Sequence, residues 1–174
     1  WNMIDLLRTR RSVRKYEPGK IEDEKIEILK EALLRSPTSR NFRPWEFIFV
    51  DDRDVLARLS QAKPHGAAFL KGAALGIVVC ADENRSDVWV EDCSIASILV
   101  QMAALSLGLG SCWIQIRKRT HAEGMTSVSY IQELLGLPEN LKVESIISIG
   151  YPAEKMAPIP KENLETHKIR MNRY

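Results

Sequence analysis

The sequence predicts one domain in which helices and short strands alternate along the chain. Three observations carry that reading. At roughly 150 residues per domain, 174 residues leave room for a single core. Three short apolar, β-branched or aromatic runs, Phe47 to Val50, Leu75 to Cys80 and Val143 to Ile149, read as strands. Between them lie stretches with helical spacing that stop at glycine or proline. Hydrophobic residues make up 45% of the chain and charged ones 28%, far from the composition of disordered proteins. No repeat, low-complexity tract or linker divides residues 1–174.

In chain order, Ile4 to Thr9 forms a short helix. Glu22 to Arg35 is a stronger one, with acidic residues in its first turn, Ile26, Leu29 and Leu33 on one face, and Pro37 beyond its end. Phe47 to Val50 follows as a strand, then a helix over Asp54 to Ala62 and the strand Leu75 to Cys80. A long helix starts at Asp87 or Val88 and runs to Leu107, where Gly108 and Gly110 stop it. A short strand-like piece follows Gly110. A further helix, Ser127 to Leu135, ends at Gly136 and Pro138, before the strand Val143 to Ile149.

The long helix is apolar nearly all round and must be covered on every side. A chain of this size has little material for that, so a second copy is expected to cover part of it, as a homodimer. Residues 151–174 lose periodicity and contain Pro152, Pro158 and Pro160, yet Ile159, Leu164, Ile169 and Met171 suit an arm that packs on a partner.

Composition excludes several classes. The net charge of +2 calls for neither nucleic acid nor an anionic membrane as partner. Cys80, Cys93 and Cys112 are odd in number and sit among apolar neighbours, as reduced core thiols do. Residues Trp1 to Asp5 lack the pattern of a secretory leader, and Cys93 to Leu107 is too short to span a bilayer, so a cytoplasmic protein is expected. His65, His121 and His167 have no metal-ligand spacing, and neither a Gly-x-Ser-x-Gly elbow nor a phosphate-binding Walker loop is present.

Three segments could bind a ligand. Arg8, Arg10, Arg11, Arg14 and Lys15 crowd one short stretch; with Ser12 they could grip a phosphate, or form a solvated basic turn. No aromatic residues are interleaved with them for stacking nucleobases. Pro37 to Trp45 is a loop dense in hydrogen-bonding side chains, which could hold a polar planar ligand or satisfy the turn. Gly108 to Gln115 carries Gly-x-Gly but lacks the third glycine and the βαβ context of a dinucleotide fold.

Taken in order, Arg10-Arg11-Ser12-Val13-Arg14, Pro37-Thr38-Ser39-x-Asn41 with Pro44-Trp45, Gly108-Leu109-Gly110 with Cys112-Trp113-Ile114, and Ile149-Gly150-Tyr151-Pro152 resemble the nitroreductase family of FMN-dependent oxidoreductases, in a small-chain form. The resemblance implies an α+β fold with a mainly antiparallel sheet flanked by helices, in an intertwined homodimer with FMN at the interface. By position it assigns Arg10, Arg11 and Ser12 to the FMN phosphate and ribityl chain, and Arg14 to the pyrimidine end. Pro37, Thr38, Ser39 and Asn41 match a loop that reaches the flavin of the other subunit. Trp113, Ile114 and Gln115 match a stretch lying against the flavin, with the Gln115 N–H directed at N5. Lys168 and Arg170 match a C-terminal basic element near the phosphate.

There are departures. Larger members carry a second lysine where this chain has Phe69, with Lys71 two places on, and much of an insertion after the long helix is missing. The implied activity is ping-pong transfer of hydride from NADH or NADPH to flavin, and of electrons onward to a nitroaromatic, quinone or similar small molecule. A flavin-fragmenting enzyme of the same fold and a non-catalytic FMN-binding module are the alternatives.

Overall fold

The computed structural model of the chain describes residues 2–174; Trp1, counted in the expected domain, lies outside them. At its centre is an antiparallel sheet ordered β1-β2-β6-β3, built from β1 (Trp45–Val50), β2 (Leu75–Asp82), β3 (Gly110–Gln115) and β6 (Leu141–Gly150). Side chains of β2 alternate between two cores. Ile77 and Val79 face α2 (Asp23–Leu34) and α4 (Trp89–Ser106), packing with Leu29, Leu33, Ala96 and Val100. Val78 and Cys80 face α3 (Arg53–Leu59) and α5 (Ser127–Leu135), with Leu56, Leu59 and Ile131. Helices on both faces explain why Leu75 to Cys80 reads as an unbroken apolar run. The expected α+β architecture, a mainly antiparallel sheet flanked by helices, is the one observed.

Boundaries move for physical reasons. α2 starts one residue later than its pattern suggests: Glu22 makes no capping bond with its side chain and accepts from the Tyr151 hydroxyl at 2.6 Å instead. α3 starts at Arg53 because the Asp52 carboxylate accepts from the Asp54 and Val55 N–H groups. It stops at Leu59, where the Gln61 and Ala62 N–H groups tighten onto Arg58 and Leu59 carbonyls. α5 runs over the expected residues, between the Thr126 cap and Gly136, whose φ of 69° lets the helix end in a left-handed turn. A small hairpin of β4 (Thr120–Ala122) and β5 (Met125–Thr126) was not expected.

The edge of β3 carries an addition. After α1 (Met3–Thr9), the Val13 N–H donates to the Ser111 carbonyl at 2.9 Å, Tyr16 bridges Pro152, and Lys15 and Glu17 exchange main-chain bonds with Ala153 and Tyr151. The basic segment is thus pinned to the sheet. On α4, Ile95 and Ile98 stay 38% and 39% exposed, so the chain by itself leaves an apolar strip of this helix uncovered. Beyond Tyr151 the chain is largely exposed, with only single helical turns at Lys161–Asn163 and Thr166–Lys168. Among the described residues no helix is long and apolar enough to cross a membrane.

Candidate functional site

The seat of the site is the contact between the basic segment and β3. A Cβ on Gly110 would lie 2.8 to 2.9 Å from the Val13 side chain, so only glycine lets the segment approach this closely. The Tyr16 hydroxyl donates to the Val13 carbonyl at 2.5 Å and lies 2.7 Å from Ser148 Oγ, fixing the far end. Alternation along β3 then sets which groups are free. The Ser111 carbonyl points outward to Val13, while the Ile116 N–H points inward to the Glu144 carbonyl. By the period of two, the N–H groups of Trp113 and Gln115 also point to the open edge. Within the strand the Trp113 indole donates to Gln115 Oε1 at 2.9 Å, and Gln115 Nε2 donates to the Arg117 carbonyl at 2.9 Å. The Ile114 side chain is buried in the α5-side core, so Ile114 can meet a ligand through its main chain alone.

Cations gather over this strand. Burial pushes the Cys112 thiol up, against the pull of Arg14, a hydrogen bond from Ser12, Lys63 and Arg10, in that order. Arg14, Lys63 and Arg10 are thus near enough to the Cys112 thiol on β3 to act on it electrostatically. Burial holds Lys63 below the ordinary lysine range, and Arg119 adds to that. The Arg14 guanidinium stands 5.9 Å over the Phe69 ring, and its main-chain N–H donates to Glu154 Oε1 at 2.9 Å. The Arg11 guanidinium donates to the Ala157 carbonyl. Guanidinium groups and the Ser12 hydroxyl on one segment pinned beside a strand edge with outward N–H groups, with Lys63 in electrostatic range, suit a phosphate ester carrying a polar planar ring. FMN fits that donor set.

The remaining expected residues lie apart. Pro37 is exposed, and Thr38, Ser39 and Asn41 sit in a tight loop whose Ser39 N–H donates to Asp92 on α4 at 3.0 Å. Lys168 pairs with Glu165 at 2.9 Å and the Arg170 guanidinium rests 4.1 Å over Tyr174, both on the exposed C-terminal segment. Among the described residues no hydrogen bond or ion pair joins either group to Arg10, Arg11, Ser12 or Arg14 within one protomer. Lys63 and Asp92 escaped the sequence reading. Lys63 lies in a loop without a motif, and only the fold brings it into electrostatic range of Cys112; at the positions weighed for a second lysine, Phe69 lies under Arg14 and Lys71 is exposed.

The three cysteines are free thiols and buried. Burial pushes Cys80 up to about 12 and raises Cys93 still further, which suits packing and not nucleophilic chemistry. Among the described residues no three His, Cys, Asp or Glu side chains gather as metal ligands do.

The chain belongs to the nitroreductase family, whose model matches residues 7–68 and 58–151. A solved FMN-dependent nitroreductase from Clostridium difficile R20291 is 44% identical, with a TM-score of 0.97, over 99% of this chain and 100% of that one. A provisionally named NADH dehydrogenase/NAD(P)H nitroreductase of Archaeoglobus fulgidus is 40% identical over 156 residues, 87% of this chain and 86% of that protein. An FMN reductase (NAD(P)H) of Bacillus subtilis is 27% identical over 180 residues, 91% of this chain and 69% of that protein.

Proposed function

We infer that the chain is an FMN-dependent NAD(P)H oxidoreductase, working by a ping-pong cycle in which the nicotinamide leaves before a nitroaromatic, quinone or similar acceptor enters. The observation that carries this reading is the basic segment Arg10 to Arg14 pinned beside β3 by the Val13–Ser111 bond and the close Val13–Gly110 contact, along the edge to which the Trp113 and Gln115 N–H groups face. The similarity to an FMN-dependent nitroreductase over essentially the whole chain supports it.

When bound, FMN supplies the two-electron redox chemistry. The protein's part is binding and electrostatics. Arg10, Arg11 and Ser12 hold the phosphate and ribityl end, joined by Lys168 and Arg170. Arg14 stabilises negative charge at the pyrimidine end, a role Lys63 can share. The main chain of Trp113, Ile114 and Gln115 lies along the ring, with the Gln115 N–H as donor to N5. No side-chain general acid or base is required.

Pro37, Thr38, Ser39 and Asn41 reach the site from a second copy, and residues 151–174 form the arm that packs on it. The uncovered strip at Ile95 and Ile98, and the absence among the described residues of any hydrogen bond or ion pair from Thr38, Ser39, Asn41, Lys168 or Arg170 to the basic segment of the same chain, support a homodimer as the unit that completes the site. Residues 1–174 act as one FMN-binding domain in this reading, without nucleic acid or membrane as partner, in the cytoplasm.

Comparing FMN with riboflavin tests the phosphate grip. The protein should bind FMN at least about tenfold more tightly, and Arg11→Ala should erase most of the difference. Equal affinities in the unaltered protein would remove the basic segment from the phosphate.

A further inference from the structure

Asp92 lies on α4, beside exposed Glu91, and is only 2% exposed. Its Oδ1 accepts the Ser39 N–H at 3.0 Å, while its Oδ2 is buried without a partner. A buried carboxylate is retained at a cost unless its one bond does something specific. The segment it grips is unusual. Arg40, Asn41 and Arg43 take φ values of 53°, 54° and 48°, in the left-handed region that residues with side chains rarely enter. Such conformations persist only where surrounding contacts over-determine them, and they gather at ligand sites.

The loop's other ties are weaker anchors. Thr38 Oγ1 accepts the Arg43 N–H at 3.0 Å, and the Asn41 and Phe42 N–H groups turn back onto Thr38 and Ser39, all within the loop itself. The Arg40–Asp87 pair at 3.3 Å is solvent-exposed on both sides and worth little. Arg85 donates to the Phe42 carbonyl and the Asp82 N–H to the Pro44 carbonyl, both at 3.2 Å, farther along the loop; among the described residues only Asp92 ties Thr38, Ser39 or Asn41 by a hydrogen bond to the buried frame, where α4 packs against the sheet.

We propose that Asp92 is a positioning residue: by accepting the Ser39 N–H it holds the loop in the shape, left-handed at Arg40, Asn41 and Arg43, that presents Thr38, Ser39 and Asn41 to FMN. The proposal rests on the FMN reading above. It assigns the loop's shape to one hydrogen bond and gives the negative charge of Asp92 no part in it. The substitution Asp92→Asn keeps the Oδ1 acceptor, whereas Asp92→Ala removes it.

The test is a titration of FMN fluorescence. Asp92→Ala should weaken FMN binding about tenfold, the worth of one buried hydrogen bond, and Asp92→Asn should bind within about threefold of the unaltered protein. The donor is tested separately, because proline is tolerated at the first position of a helical turn and Thr38 before it is already extended. Ser39→Pro removes the N–H and leaves Asp92 in place, so it should bind FMN about tenfold more weakly than Ser39→Ala, which removes only the hydroxyl. Asp92→Ala binding like the unaltered protein, or Asp92→Asn as weak as Asp92→Ala, overturns the proposal. So does equality of Ser39→Pro and Ser39→Ala, which decides the matter even if Asp92→Ala does not fold. An unaltered protein that fails to quench FMN overturns the FMN reading, and this proposal with it.

Discussion

The Val13 side chain occupies the space a Cβ on Gly110 would need, with contacts of 2.8 to 2.9 Å. That contact sets how closely the basic segment lies on β3, and hence where Arg10, Ser12 and Arg14 stand. Gly110→Ala should destabilise the fold by about 1–3 kcal/mol through overpacking, and should weaken FMN binding as the segment is pushed outward. Adding Val13→Ala should recover only part of both losses, because it removes the two Cγ atoms and keeps the Cβ that lies nearest, at 2.8 Å. Denaturant unfolding of the two single variants and the double variant measures the coupling, and simple additivity would show that the two residues do not share this space.

Glu144 introduces a pH dependence. It is the extra residue where β6 bulges against Val79 and Cys80 of β2, and it is buried. Burial raises its carboxyl to about 7, against a hydrogen bond from Ser94. Ser94 Oγ lies 2.6 Å from Glu144 Oε1 and 2.7 Å from the Val90 carbonyl, and one hydroxyl proton can serve only one of them. When it serves Val90, the protonated carboxyl donates to Ser94, which favours the neutral acid. Because the folded state holds this proton more tightly than the unfolded chain, stability should fall as pH rises from about 4.5 to about 7 and then level off. The span is at most about 3 kcal/mol. Glu144→Gln should lack this slope in unfolding free energies measured across the window; an unchanged slope would place its origin elsewhere.

In the proposed function Arg14 stands at the pyrimidine end of FMN, where reduction adds negative charge. Arg14→Ala should lower the two-electron potential by about 30 mV, a tenfold loss of stabilisation of the reduced form, and slow reduction by NAD(P)H, while FMN stays bound. An anaerobic redox titration reads this directly. Lost binding with an unchanged potential would move Arg14 to the phosphate end.

The C-terminal segment exposes Ile159, Leu164, Ile169 and Met171 at 55% to 79% in one protomer. Deleting residues 158–174 should shift the protein from dimer to monomer in sedimentation and weaken FMN binding through loss of Lys168 and Arg170. A truncated protein that stays dimeric with full affinity would separate the arm from both roles.

Helical spacing made the helices legible, as with Leu29 and Leu33 on α2, and apolar runs marked three strands of the central sheet, while β3 showed only as a short strand-like piece after Gly110. Ser127 to Leu135 was readable to the residue because Gly136 marks its end chemically. The β4 and β5 hairpin is short and polar, and leaves no apolar pattern to find. The site was legible where donors cluster along the chain, as at Arg10 to Arg14. It was not legible where one residue acts through space. Asp92 reaches Ser39, Glu22 reaches Tyr151, and Lys63 comes into electrostatic range of Cys112, across folds that no local spacing records.

The most direct test is the visible spectrum of the protein loaded with FMN, first under anaerobic NADH or NADPH and then with a nitroaromatic or quinone. The flavin bands should bleach with at least one nicotinamide and return on adding the acceptor, with the oxidised nicotinamide released before the acceptor reacts. Bound flavin that neither nicotinamide reduces would contradict the oxidoreductase and leave an FMN-binding module.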